Sequence, residues 1–208
     1  MRLIAFAGPA RSGKTTVADI VARHAIDAGY NVVREAFAGP LKRAAERVGA
    51  GKADDPDRYR SLCQRWGAEK RVKEPGFWVR RMKSRLTKLS QYEAEDYGNI
   101  ALPQSYALWK ETLVLIDDVR YENEVDLVRE TGGVVVFIDP GRRLNLDEDF
   151  RKHESEKMAN DFLAGKLERD LFDDMLVNGR DDLESLEQMM HVASYFWFDE
   201  LYHALEGD

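Results

Sequence analysis

The 208-residue chain has one cysteine, Cys63, which excludes an intramolecular disulfide and any cysteine-built zinc site. Cys63 itself reads as a small apolar residue on a helix. Long apolar runs are also missing. None approaches the roughly 18 residues that cross a bilayer, so no membrane partner is expected. The first residues lead straight into Leu3-Ile4-Ala5-Phe6-Ala7, without the pattern of a signal peptide. Positive charge is short as well: 31 Lys+Arg stand against 38 Asp+Glu, and the net charge of −7 speaks against a nucleic-acid partner.

That shortage is uneven. Residues 31–90 carry 16 Lys+Arg against 7 Asp+Glu, whereas residues 91–208 carry 11 against 29. A basic middle in an acidic chain suits a compact anionic ligand such as a phosphate ester better than a long polyanion. With 44% hydrophobic and 33% charged residues, the length fits one globular domain spanning 1–208 with a sizeable core.

What the chain does have is Gly8-Pro9-Ala10-Arg11-Ser12-Gly13-Lys14-Thr15, a complete G-x-x-x-x-G-K-[ST] phosphate loop between an apolar run and a helical pattern. Its glycines let the backbone wrap around phosphate oxygens, and its N–H groups point inward at a helix N-terminus. Lys14 supplies a point charge, and the Thr15 hydroxyl is placed to ligate Mg²⁺.

Beyond the loop, a helix is expected over about 14–28, with His24 a packed residue, ending at Gly29. Asn31 to Phe37 reads as a strand, Leu41 to Val48 as a helix opened by Pro40, and about 56–72 as a helix with Tyr59, Leu62, Cys63 and Trp66 as its buried stripe. A further helix runs from Phe77 to about Leu89, with Arg81, Arg85 and Lys88 as a solvated basic face. Residues 91–110, rich in Tyr and Trp, read as a loop or irregular helix. Leu113 to Ile116, Val134 to Ile138 and Met175 to Val177 are strands, and helices fall at about 121–131, 155–164 and 182–205. Continuously apolar strands alternating with helices imply a mostly parallel sheet covered on both faces.

In such a sheet, ligands gather at the carboxyl ends of the strands. One of Asp117 and Asp118 is expected to cap the following helix, more naturally Asp117, leaving Asp118 a functional role such as a water-mediated link to Mg²⁺. Phosphoryl transfer spreads negative charge over the moving group, and Arg11, Arg120, Arg142 and Arg143 are the cations available beside Lys14. The charged stretch around Arg142 lies where a lid would close over ATP.

Taken together, an ordered set of segments resembles the bacteriophage-type deoxynucleoside monophosphate kinases, members of the adenylate-kinase-like P-loop kinases. The set comprises Leu3-Ile4 through Arg11-Ser12-Gly13-Lys14 and Thr16, Ala38-Gly39-Pro40-Leu41-Lys42, Leu62-x-Gln64-x-x-Gly67 with Trp78-Val79, Asp118-x-Arg120 to Glu124, and Asn178-Gly179 before a terminal helix. The resemblance implies a three-layer α/β P-loop NTPase fold with a helical acceptor-binding segment at about 52–110 and a lid at about 140–157. It implies ATP and Mg²⁺ as donor and cofactor and a deoxynucleoside monophosphate as acceptor. The lack of an apolar span and of a signal-peptide pattern predicts a cytoplasmic setting, that of a host if the protein is viral.

On the same ground, Gly8, Arg11, Ser12, Gly13, Lys14, Thr15 and Thr16 would bind ATP, and Lys42, Arg60, Gln64, Gly67, Trp78, Asp118, Arg120 and Glu124 would form the monophosphate site. Lys14, Arg11, Asp118, Arg120 and Arg142 would act in the transfer. Lys42, Arg60 and Arg120 can meet an acceptor phosphate, and Trp78 offers a stacking surface for a base. His153-x-x-Glu156 also resembles a family segment near the lid, with no reaction assigned to it. Two departures stand out: Thr15 replaces a carboxylate found in some relatives, and the middle segment is shorter, which leaves base choice open. Two other readings stay open, a kinase of this fold for another phosphorylated acceptor such as phosphomevalonate, and a non-catalytic nucleotide-binding regulator. A homodimer is also left open.

Overall fold

The apolar runs become strands of one parallel sheet: β1 (Arg2–Ala7), β2 (Asn31–Glu35), β3 (Thr112–Val119), β4 (Val134–Asp139) and β5 (Asp174–Val177). Their order is β2-β3-β1-β4-β5, with every neighbouring pair parallel. This computed structural model describes residues 1–49, 51, 53–99, 112–141 and 153–179. The sheet centre is fixed by burial on both faces. Along β1, Leu3, Ala5 and Ala7 enter one core cluster while Ile4 and Phe6 enter the other. Each large side chain so buried contributes roughly 1.5–3 kcal/mol.

The helices that link the strands are α1 (Lys14–Asp27), α2 (Gly39–Arg47), α3 (Pro56–Lys73), α4 (Phe77–Asn99), α5 (Glu122–Glu130) and α6 (Lys157–Leu163). α1 covers one face through Val17, Ile20 and Val21. On the other face, α4 brings Trp78, Met82 and Leu86, α5 brings Val125 and Val128, and α6 brings Met158. Sheet order, helices on both faces and the phosphate loop between β1 and α1 make this a three-layer α/β P-loop NTPase fold.

Several expectations change in detail. β3 continues through Asp117 and Asp118 to Val119 instead of ending at Ile116, because both carboxylates find partners at the end of β2. α4 runs to Asn99, so the first part of the aromatic stretch is helical. The expected stripe of α3, Tyr59, Leu62, Cys63 and Trp66, is only half-buried. Tyr59 and Cys63 on that stripe border a cavity rather than a closed core. Asp117 caps nothing: α5 begins after Tyr121 with no side-chain cap. The proposed terminal helix and most of the lid, Arg142 and Arg143 included, lie outside the described residues.

Candidate active site

The loop is shaped by backbone that few residues tolerate. Gly13 has φ 95°, and a Cβ there would lie 2.3 Å from Asn178 Nδ2. That amide donates to Ser12 O at 3.0 Å, and Asn178 N–H donates to Asp139 O at 2.7 Å. The end of β5 therefore clamps the loop. Arg11 adopts a left-handed φ of 63°, alone among described non-glycine residues, a conformation that needs support from its surroundings.

Lys14 is buried, and its Nζ donates to Gly8 O at 3.0 Å, Pro9 O at 2.6 Å and Ser12 Oγ at 3.4 Å. Burial lowers its pKa to about 7, and the positive charge of Arg120 pushes in the same direction, against the pull of Glu156, Asp117 and Asp118.

In front of the loop, at the carboxyl ends of β1 and β3, lies a cavity of about 720 Å³. Of the residues expected to hold ATP, Arg11, Gly13, Lys14, Thr15 and Thr16 line it. Gly8 and Ser12 do not; they shape the loop from behind. From the expected acceptor set, Lys42, Arg60, Gln64 and Trp78 line the same cavity, as do Asp118, Arg120 and Glu124. Gly67 lies outside it. Its task is contact between helices, since a Cβ there would meet Leu41 Cδ1 at 3.3 Å and Arg71 Nη1 at 3.4 Å.

Trp78 differs from the expected stacking platform. Its ring is 5% exposed, stands edge-on to Phe77, and donates from Nε1 to Gly67 O. It is the inner wall of the cavity. Asp118 lines the cavity and is held by its neighbours. Oδ1 accepts Phe37 N–H at 2.8 Å, while Oδ2 accepts Ala38 N–H at 3.1 Å and sits 3.5 Å from Lys42 Nζ. Both oxygens are thus engaged in fixing the end of β2 and aiming Lys42. Asp117 pairs with Arg34 at 3.0 Å.

The donor set at the loop suits Mg²⁺ modestly. Thr15 offers a hydroxyl from the first turn of α1, and among the described residues no group of three His, Cys, Asp or Glu gathers to hold a metal. Mg²⁺ commonly retains water and takes phosphate oxygens, so one protein hydroxyl is compatible with it.

A buried charge network crosses the floor. Glu124 Oε1 accepts from Arg71 Nη2 at 3.0 Å, and Oε2 accepts Arg120 N–H at 2.8 Å. Arg71 stacks on the Tyr121 ring, 3.8 Å from its centroid. Arg120 Nη1 in turn meets Glu156 Oε1 at 2.5 Å. Burial pushes the Glu124 carboxyl up to about 7, outweighing the pull of Arg71 and of the Arg120 N–H. Its folded value lies above the ordinary 4.5, so the native state holds the extra proton between those two values. The contribution of Glu124 to stability therefore falls as pH rises through that window. Glu124→Gln should flatten the dependence of the urea midpoint on pH across the same window, measured against the parent protein.

Sequence reasoning missed Arg71, Tyr59, Cys63 and Glu156 as cavity residues. Arg71 was accessible: with Arg60, Gln64 and Gly67 it continues one face of α3 at helical spacing. Tyr59 and Cys63 share an adjoining stripe whose apolar spacing reads as packing. Burial raises both the tyrosine hydroxyl, to about 12, and the cysteine thiol. For Glu156 the signal was the His153-x-x-Glu156 segment, whose partners no local pattern names.

No protein-family model matches the chain, and no curated protein does. Among solved structures it is similar to one titled "Crystal structure of APE1195", at 16% identity over 97% of this chain and 94% of that one, with a TM-score of 0.39. It is also similar to a shikimate kinase from Acinetobacter baumannii in complex with shikimate, at 12% identity over 93% and 92% of the two chains, with a TM-score of 0.42. At these values neither likeness bears on the substrate.

Proposed function

We propose that the protein transfers the γ-phosphoryl group of ATP to a deoxynucleoside 5′-monophosphate. One observation carries this reading: the phosphate loop and the cations Lys42, Arg60 and Arg120 face a single cavity. A donor site alone would not need a second set of cations across from the loop. Lys14 and the loop amides hold the donor phosphates, and Arg120 neutralises charge on the group in transit. Lys42, aimed by Asp118, and Arg60 receive the acceptor phosphate. The base lies against Tyr59 and Gln64, whose amide has both a donor and an acceptor to offer. Bound Mg²⁺ would neutralise phosphate charge, with Thr15 as its protein ligand.

A screen of the four deoxynucleoside monophosphates and phosphomevalonate, read by ADP release, tests the assignment. Turnover with at least one deoxynucleoside monophosphate, well above ATP hydrolysis alone, is the expected result. Turnover only with phosphomevalonate would transfer the reading to the alternative acceptor, and ATP binding without any turnover would favour a regulator.

A further inference from the structure

Glu156 has no part in the transfer as drawn, yet its carboxylate reaches the middle of the loop. The residue is 2% exposed. Oε2 accepts Ala10 N–H at 2.6 Å, while Oε1 pairs with Arg120 Nη1 at 2.5 Å. Inward N–H groups of a phosphate loop and a neighbouring guanidinium are the partners a phosphate oxygen seeks. One side chain thus takes two contacts suited to an anionic ligand, and its charge also acts on Lys14.

The carboxylate is delivered by a short element. A 3-10 turn, Glu154–Glu156, starts at His153, whose Nδ1 accepts Ser155 N–H at 3.2 Å, and Glu156 N–H donates to His153 O at 2.9 Å. Immediately afterwards α6 is tied to the core by Met158 and Ala159. The carboxylate would be withdrawn by movement of this turn, which ends at Glu156, the residue that also opens α6.

We propose that Glu156 is an internal anion seated in the phosphate site, which a polyphosphate ligand must displace. The inference rests on reading the loop as a phosphate site and is independent of the acceptor. During the exchange Arg120 passes from one anionic partner to another, so its half-buried guanidinium keeps a partner. A carboxylate remaining beside bound phosphate would repel it, and the exchange therefore lowers ligand affinity in the parent protein. It also favours ligands with several phosphate charges, which compete with a carboxylate better than an uncharged nucleoside does.

Inorganic tripolyphosphate is the suitable probe, because it has neither base nor sugar. Calorimetric titration of the full chain should show Glu156→Gln binding tripolyphosphate about tenfold more tightly than the parent, the scale of one charge-assisted hydrogen bond. Equal or weaker binding by a folded variant would overturn the proposal and make Glu156 a support for the loop. Should the variant not fold, hydrogen exchange on the parent protein decides: tripolyphosphate should speed exchange at the amides of residues 154–156, and unchanged or slower exchange there refutes displacement. The acceptor screen can fail while this result holds, and the reverse is equally possible.

Discussion

Arg120→Ala is expected to lower kcat for phosphoryl transfer on the order of 10³-fold or more, with a much smaller rise in KM for ATP. Arg120 follows directly on β3, with its N–H bonded to Glu124 and its guanidinium turned into the cavity beside Lys14. A cation in that place stabilises charge that develops as the phosphoryl group moves, which raises kcat by more than its contact with bound phosphate adds to ground-state affinity. The substitution also leaves Glu156 buried without its cation, at a cost of about 3 kcal/mol. Arg120→Lys separates the two effects. It keeps the charge and much of the stability, but loses the planar fork, so kcat should stay low. Thermal melts beside steady-state kinetics give both readings. A folded Arg120→Ala protein with unchanged kcat would remove Arg120 from the transfer and favour a nucleotide-binding regulator.

Lys14→Met should cost on the order of 100-fold in ATP affinity, measured by titration calorimetry, with turnover lost in proportion or further. The burial that lowers Lys14 to about 7 has a second consequence. Its folded value lies below the ordinary 10.5, so between the two the native state binds fewer protons than the unfolded chain and stability rises with pH. Bound polyphosphate favours the ammonium form, so above about pH 7 ligand binding takes up a proton and affinity falls as pH rises. Titrations in two buffers of different ionisation heat measure that uptake. Lys14→Met should abolish it; persistence of the full uptake would assign the proton to another group.

Much of the candidate site is legible in the chain because its chemistry is local. Gly8 to Thr15 form the loop through backbone preferences within eight residues, and an apolar run followed by a helical pattern is enough to place it at a strand end. Arg120 follows by the same rule, since it lies just past β3, and Lys42 lies near the start of α2, the helix that follows β2. Asp118 lines the cavity, but its partners could not be read from the chain. Its oxygens are bound by Phe37 N–H and Ala38 N–H, some 80 residues away in sequence, and no periodicity reports such partners.

The sequence by itself determined the alternation of buried strands and helices, the phosphate loop and the basic middle segment, because each arises from composition or from spacing within one or two turns. Only the tertiary structure decided the rest. Trp78 became a wall when packing took its ring and Gly67 took its N–H. Gly67 became a close approach between α3 and its neighbours. Glu156 met Ala10, 146 positions away, because the sheet order sets the turn before α6 against the loop after β1. Such partners are chosen by burial: a desolvated charge must find an opposite charge or an N–H in three dimensions, wherever the chain happens to supply one.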